Sequence, residues 1–336
     1  MSEGRVELKP VNERPLVTFA LITFNQEKFI RESVQGAFNQ AYEPLEIIIS
    51  DDCSTDRTFE IVQEMVRAYD GPHKIRLNRN ANNMGISSHV RYIHEVSQGD
   101  IVIHAAGDDI SGPDRTSKIV DAFGSSNAGI SMVMSNGEKV DVAGIPSGPI
   151  CPDMNDAIVD RPKHPREAVL PFIGCTMAIS SHLIDDFPAP QKGIVAEDVV
   201  LMRRAYLMNG VKYIPDQLVK YRIHSGAITS HKDLSRIDYL RYNILWTRDR
   251  IAIAEQFIAD LHHIQHPSEH HLSKNLVSEI RSEKIVLRVL EGALFPSMLA
   301  LFQGLVSRHE PVYQRFRKDL LKHAIVRWAP FLLSYQ

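Results

Sequence analysis

The sequence predicts an α/β fold, a mixed, mostly parallel sheet of Rossmann-like type flanked by helices and followed by an α-helical C-terminal extension. From about residue 16 to residue 231, apolar β-branched runs alternate with stretches whose apolar residues recur every three or four positions. The runs are continuous, as in strands covered on both faces. Beyond residue 232 glycine becomes scarce and the sequence turns leucine-rich and helix-periodic. At 336 residues the chain exceeds one typical domain and can bury a large core.

Residues 1–15, MSEGRVELKPVNERP, are polar and charged, lack the apolar segment of a secretory signal, and read as a flexible N-terminal arm. LVTFALITF (16–24) is the first strand, and Ile30, Val34, Ala37, Phe38 and Ala41 mark the helix behind it. LEIIIS (45–50) is the second strand. The cap-competent STDRT then opens a helix with Phe59, Val62, Met65, Val66 and Tyr69 on one stripe. KIRLN (74–78), a helix around Val90 and Ile93 closed by Gly99, DIVIHAA (100–106) and a helix begun by Pro113 continue the alternation. Between Asn136 and Pro165, Pro146, Pro149, Pro152 and Pro162 predict a long irregular loop, a lid or binding edge. FIGCTMAIS (172–180) resumes a strand in which Gly174 allows close backbone approach. AEDVVLMRRAYLMNG (196–210) reads as a helix stopped at Gly210, and KYRIHSGAITS (220–230) ends a β run at His224.

With 38 Lys+Arg against 41 Asp+Glu the net charge is -3, so no basic field points to nucleic acid. The three cysteines, Cys53, Cys151 and Cys175, are odd in number, lack metal-ligand spacing and fit a reducing compartment. Acids follow the carboxyl ends of two strands, where open α/β sheets bind ligands: Asp51–Asp52 and Asp108–Asp109 are expected to share one crevice. The first pair also suits turn and cap chemistry. The second is surplus to capping, since Ser111, Pro113 and Asp114 already supply a turn and a helix start. Two adjacent carboxylates repel, and a divalent cation, Mg²⁺ or Mn²⁺, is the natural compensator, a solvated turn being the plainer alternative.

Four stretches, ALITFNQEKFIRESVQGAFNQ, LEIIISDDCSTDRT, NRNANNMGIS and HAAGDD, resemble in order and spacing the nucleotide-binding half of family 2 glycosyltransferases of GT-A fold, a likeness that covers about residues 16–225. The resemblance implies a metal-dependent, inverting transferase acting in bacterial surface-polysaccharide synthesis. Its donor would be a nucleotide-sugar, a UDP-sugar ahead of dTDP- or GDP-sugars, and its acceptor a glycan or polyprenyl-linked molecule. The N-terminus without a secretory signal and the odd cysteines fit a cytoplasmic protein, for which the basic tail leaves two alternatives, a peripheral place on the inner face of the plasma membrane or packing within the protein. The domain expected over 16–231 divides into a nucleotide-binding half (16–110) and an acceptor and catalytic half (111–231), with the helical extension at 232–336. Position by position, Asp52 falls on the acid that reads the base, Thr23, Asn25 and Glu27 line the nucleotide, and Asn83 and Asp108 join the donor site. Asp109 falls on the metal contact of the aspartate motif, and Ala106 stands where many members carry a further acid. His224, in YRIH, matches a second metal ligand, the plainer alternative being a structural histidine. Glu197–Asp198 resemble the family's "ED" motif, whose general base maps to Asp198. Acids at a helix N-terminus are also favoured by the macrodipole alone.

Two other function classes fit the same sheet. A nucleotidyltransferase is disfavoured because no Gly-rich, Arg/Lys-bearing phosphate loop follows the first strand, and a non-catalytic scaffold subunit of an assembly complex is disfavoured by Asp198 and the Asp108–Asp109 pair. HHIQHPSEHH (262–271) reads as a solvated loop between helices, and GALFPSMLALFQGLV (292–306) is too short and Pro-interrupted to span a bilayer. The basic, apolar-striped tail from Arg308 suits either an anionic membrane surface or packing on the core or a homodimer partner.

Overall fold

The structure is a computed structural model and describes residues 11–125, 129–152, 155, 157–159, 173–188, 190–191, 193–227, 230, 235–266 and 269–292. The strands are β1 (Val17–Thr23), β2 (Leu45–Asp51), β3 (Lys74–Arg79), β4 (Ile101–Ala106), β5 (Ile110–Ser111), β6 (Met132–Val140), β7 (Pro146–Pro149), β8 (Ala157–Val159), β9 (Met177–Ser180) and β10 (Val211–Arg222). The helices are α1 (Ile30–Phe38), α2 (Thr58–Arg67), α3 (Ile86–Val96), α4 (Arg115–Gly124), α5 (His182–Asp185), α6 (Glu197–Leu207), α7 (Arg236–His263) and α8 (Glu269–Gly292). They build one mixed sheet in the order β3-β2-β1-β4-β9-β6-β10-β5, with β7 paired to β6 and β8 to β10.

Strands β3, β2, β1 and β4 run parallel, with Thr23 beside Asp51 and Ile22 beside Ala106. The chain moves outward from β1 through β2 to β3 and returns to pair β4 on the other side of β1. That reversal opens a crevice beyond the carboxyl ends of the strands. β9 is antiparallel to both β4 and β6, and β10 is parallel to β6. The carboxyl end of β10 therefore points to the same rim as those of β1, β2 and β4.

Strand alternation divides the core. Phe19, Leu21, Ile47 and Ile49 face α1, α2 and α4, where they meet Val34, Ile61 and Ile119. Ala20, Ile48, Val102, Met132 and Met134 face the other way, into a cluster holding Val90 and Ile93 of α3 and Leu201 and Ala205 of α6. Ile251, Ala254, Phe257 and Leu261 of α7 and Leu276 and Ile280 of α8 belong to that second cluster. The C-terminal helices thus complete one face of the sheet.

Within the segment from Asn136 to Pro165, the described residues depart from the expected irregular loop. β6 continues to Val140, and a tight turn returns the chain as β7. Asp141 makes the turn by accepting from the amides of Ala143 and Ile145, and Gly144 adopts φ 81. Pro146 and Pro149 fit an edge strand, where a missing donor is harmless. Residues 172 and 160–171 lie outside the described residues, and the strand expected over 172–180 is a 3-10 turn, Gly174–Thr176, followed by the shorter β9. The last core strand stops at Arg222, two residues before His224. Most of the N-terminal arm and everything from 293 onward, including the 292–306 stretch and the basic tail, also lie outside the described residues. Among the described residues no helix is long and apolar enough to cross a membrane.

Candidate active site

Each loop leaving the rim is held by polar contacts, and together they form one connected set. The loop after β1 turns at Asn25, whose φ of 53 is a left-handed conformation that asparagine tolerates. Its amide donates to Ser54 Oγ (2.8 Å) and its Oδ1 accepts from the Thr55 amide (2.8 Å). The Glu27 amide donates to Asp56 Oδ2 (3.1 Å), and Glu27 Oε2 accepts from the Arg57 amide (3.1 Å). Asn25 and Glu27 therefore brace this loop against the start of α2. Thr23 is buried with its hydroxyl unpartnered, and a methyl group added at Gly107 would lie 2.8 Å from that oxygen and overlap the Gln26 amide.

Asp52 is buried at the end of β2, and its amide donates to the Thr23 carbonyl (2.9 Å). Its Oδ1 accepts from Asn80 Nδ2 (2.8 Å) and the Met84 amide (2.9 Å), and its Oδ2 from the Gly85 amide (3.0 Å). Asn83 Oδ1 accepts from the same Gly85 amide (3.0 Å). One carboxylate thus shapes the 80–85 loop. Asp51, its neighbour, accepts from the Ser54 amide and lies 3.6 Å from Arg79, which is turn chemistry.

The adjacent acids after β4 diverge. Asp108 Oδ2 lies 2.9 Å from His224 Nε2. Asp109 is 5% exposed and accepts from the Arg222 amide (2.8 Å) through Oδ1. Burial, then the neighbouring Asp108, pushes the Asp109 carboxyl up to about 7, against the Cys175 thiol, the Arg222 amide and Arg115. Arg222 is 2% exposed and had no place in the sequence reading beyond its part in YRIH. Its Nε donates to the Asp108 carbonyl (3.0 Å), its guanidinium reaches the carbonyls of Asp141 and Val142 and Glu32 Oε2, and it lies over the Phe29 ring at 4.8 Å. That ring packs 4.9 Å from the ring of His224. A cation on the inward side of a strand end was the signal available.

Arg115 is the second such residue. Fully buried, it donates to Ser111 Oγ and to the carbonyls of His104 (2.7 Å) and Cys175 (2.6 Å), and burial lowers its pKa to about 10. It ties β4 to the turn that carries Gly174 and Cys175. The Gly174 amide donates to the Asp198 carboxylate, and a methyl at Gly174 would lie in van der Waals contact with it, 3.4 Å away. Asp198 Oδ1 also accepts from the Val199 amide (2.8 Å). Burial raises the Asp198 pKa against these amides, Asp249 adds to the rise, and burial with Asp198 beside it raises Glu197 well above the usual range.

The residues expected at the site therefore come together in three linked groups. Thr23, Asn25, Glu27, Asp52 and Asn83 form the first. Asp108, Asp109 and His224 form the second, joined to the first through Gly107 and Thr23. Asp198 is joined to the second through Gly174, Cys175 and Asp109. Asp108 and His224 offer a carboxylate and an imidazole side by side, a donor set that fits Mn²⁺ or Mg²⁺, which keep water and take phosphate oxygens. Among the described residues no three His, Cys, Asp or Glu side chains gather into a metal-holding group, around His262 or elsewhere.

Residues 18–169 match the family model for glycosyl transferase family 2. The chain is 30% identical over 110 residues to the putative glycosyltransferase EpsE of Bacillus subtilis, a stretch that is 33% of this chain and 39% of that protein. The chain thus spans well under half the length of this curated relative. Among solved structures, S. aureus TarS 1-349 in complex with UDP superposes with a TM-score of 0.55 at 18% identity, covering 85% of this chain and 77% of that one. The mannosyltransferase PcManGT from Pyrobaculum calidifontis, in complex with GDP-Man and Mn²⁺, gives a TM-score of 0.51 at 15% identity over 90% and 84% of the two chains. At these identities the likeness to the solved structures is one of fold.

Proposed function

We propose that this chain, whose residues 18–169 match the family model for glycosyl transferase family 2, is a member of that family and moves a sugar from a nucleotide-sugar to an acceptor hydroxyl with inversion. The observation that carries this reading is the connected path at one rim, from Asp52 through Thr23 and Gly107 to Asp108 and His224, and on through Gly174 to Asp198. Asp52 and the loop it holds receive the base, with Phe24 and Met84, each 43% exposed, offering apolar contact beside it. Asp108 and His224 would hold a divalent cation, which when bound neutralises charge on the leaving diphosphate. Asp109 keeps the ends of β4 and β10 in register beneath them. Asp198 takes the proton of the acceptor hydroxyl, whose oxygen attacks the anomeric carbon on the face opposite the nucleotide. We favour a UDP-sugar, as in the UDP complex of TarS, with GDP-sugars next, and a glycan or lipid-linked acceptor of the surface-polysaccharide class that the sequence resemblance implies.

A thermal-shift panel of UDP-, GDP- and dTDP-sugars with and without MnCl₂ tests this. One nucleotide should raise the melting temperature more with Mn²⁺ than without, and His224→Ala should abolish the metal-dependent part. Equal shifts with and without metal in both proteins would sink the assignment of Asp108 and His224. Release of pyrophosphate from a nucleoside triphosphate would instead favour nucleotidyl transfer.

A further inference from the structure

We infer that Asp249, on α7, is a positioning residue for the general base, supplied to the active site by the C-terminal helices. The inference rests on the reading of Asp198 as base. Helix α6 begins with no cap of its own: Ala196 occupies the N-cap position and has no side-chain oxygen to accept from the first turn. Asp249, from another helix, instead fixes the two residues that lead into the helix. Its Oδ1 accepts from the Val195 amide (2.5 Å), and both its oxygens lie 3.3–3.4 Å from the Ala196 amide. These are the two amides immediately before Glu197 and Asp198. Flanked by Arg248 and Arg250, an acid here would ordinarily face water, yet Asp249 is 2% exposed.

Three further residues on the same face of α7 fasten the same approach segment. Ile253 packs with Ile194 and Val200, Gln256 Oε1 accepts from the Gln191 amide (2.9 Å), and Asp260 grips Arg204 through both oxygens while Arg204 donates to the Pro188 carbonyl. Positions 249, 253, 256 and 260 fall on one helical stripe. From the donor side, Ser87 Oγ at the start of α3 donates to the Ile194 carbonyl. Pro188, Gln191, Ile194, Val195 and Ala196 are thus tied to α7 directly or through Arg204, with Ile194 also held by α3, and they lead to Asp198 beside the Gly174 amide. Apolar side chains alone would bury this helix at least as well. What the polar stripe adds is one defined backbone path into the base.

The test compares Asp249→Ala, Asp249→Asn and Asp198→Asn in the full chain. Turnover is read as release of nucleoside diphosphate from UDP-, GDP- and dTDP-sugars with MnCl₂, and amide hydrogen exchange is read over residues 190–200. Asp249→Ala should speed exchange at 195–199 and lower kcat by about 10- to 100-fold with donor KM unchanged, since a small displacement of a reacting group costs on that order. Asp249→Asn retains an acceptor oxygen and should restore most of both. Exchange needs no substrate and decides the positioning by itself: unchanged protection at 195–199 in Asp249→Ala overturns the inference. So does wild-type turnover in that variant, or a fall in kcat matched by a rise in KM. Full turnover in Asp198→Asn would instead remove the base and leave the exchange result standing, so the two failures are distinguishable.

Discussion

At the scale of single residues, adjacent side chains of one type take different tasks because their environments differ. Asp108 meets an imidazole at 2.9 Å, whereas Asp109, its neighbour, is buried and accepts from the Arg222 backbone amide. The same contrast governs Glu197 and Asp198, both raised by burial, of which Asp198 has the amides of Val199 and Gly174 to favour its ionised form. Asp198→Asn keeps the shape of the side chain but removes the proposed proton acceptor. It should bind nucleotide as the wild type does and lose about 10²- to 10⁴-fold in turnover, measured by calorimetry and nucleoside diphosphate release.

A second residue-scale prediction concerns His94 and His104, whose Nε2 atoms lie 2.8 Å apart in the interior. Burial lowers His94 to about 4 and His104 well below the ordinary value. The folded state holds both neutral, whereas the unfolded chain takes up protons below about 6.5. The pair's share of stability is therefore complete above about pH 6.5 and is lost as the pH falls toward 4. Asp109 and Glu197 are shifted upward and act in the opposite sense, so the share is read as a difference. Melting curves from pH 7 to 4.5 should show a shallower acid loss in the double variant His94→Leu/His104→Leu than in the wild type; parallel curves would refute the assignment.

At the scale of elements, the loops at the rim are fixed by short-range geometry that leaves no room for a side chain at Gly107. A methyl group there would lie 2.8 Å from Thr23 Oγ1 and 2.9 Å from Thr23 Cβ. Gly107→Ala must push the β1 loop away from the start of the Asp108 loop. We expect nucleotide affinity to weaken by roughly tenfold, about 1.4 kcal/mol, while the circular dichroism spectrum is retained. An unchanged affinity would show that the two loops move independently.

At the scale of the whole molecule, α7 and α8 are part of the core, and α7 reaches the segment that leads into Asp198, the proposed base. Arg204 and Asp260, each 1% exposed, form a two-pronged ion pair between α6 and α7. Removing one partner strands a buried charge, which costs about 3–5 kcal/mol. Asp260→Ala should accordingly lower the urea midpoint, with a single cooperative transition that includes the sheet. Two separated transitions would mean that the helices unfold on their own and are a separate unit.

Much of this protein was legible in its sequence, and the limit has a physical cause. The alternation of strands and helices, the acids after β2 and β4, and the acids opening α6 follow from local periodicity and from the rule that open α/β sheets present their loops at one rim. Those signals lie within a few residues of one another along the chain. The hairpin at 140–146 escaped detection because prolines on an edge strand look like a loop until the neighbouring strand is known. Arg115, Arg222 and Asp249 escaped for a related reason: each is a charge with a partner far along the chain, 60 residues away for Arg115, 190 for Arg222 and 54 for Asp249. The sequence by itself determined which carboxylates stand at the strand ends. Only the tertiary structure decided which of them meets a histidine, which is buried against an amide, and which is aimed by a helix from beyond the sheet, because burial and partner distance, which set the behaviour of a charge, are properties of the packed chain.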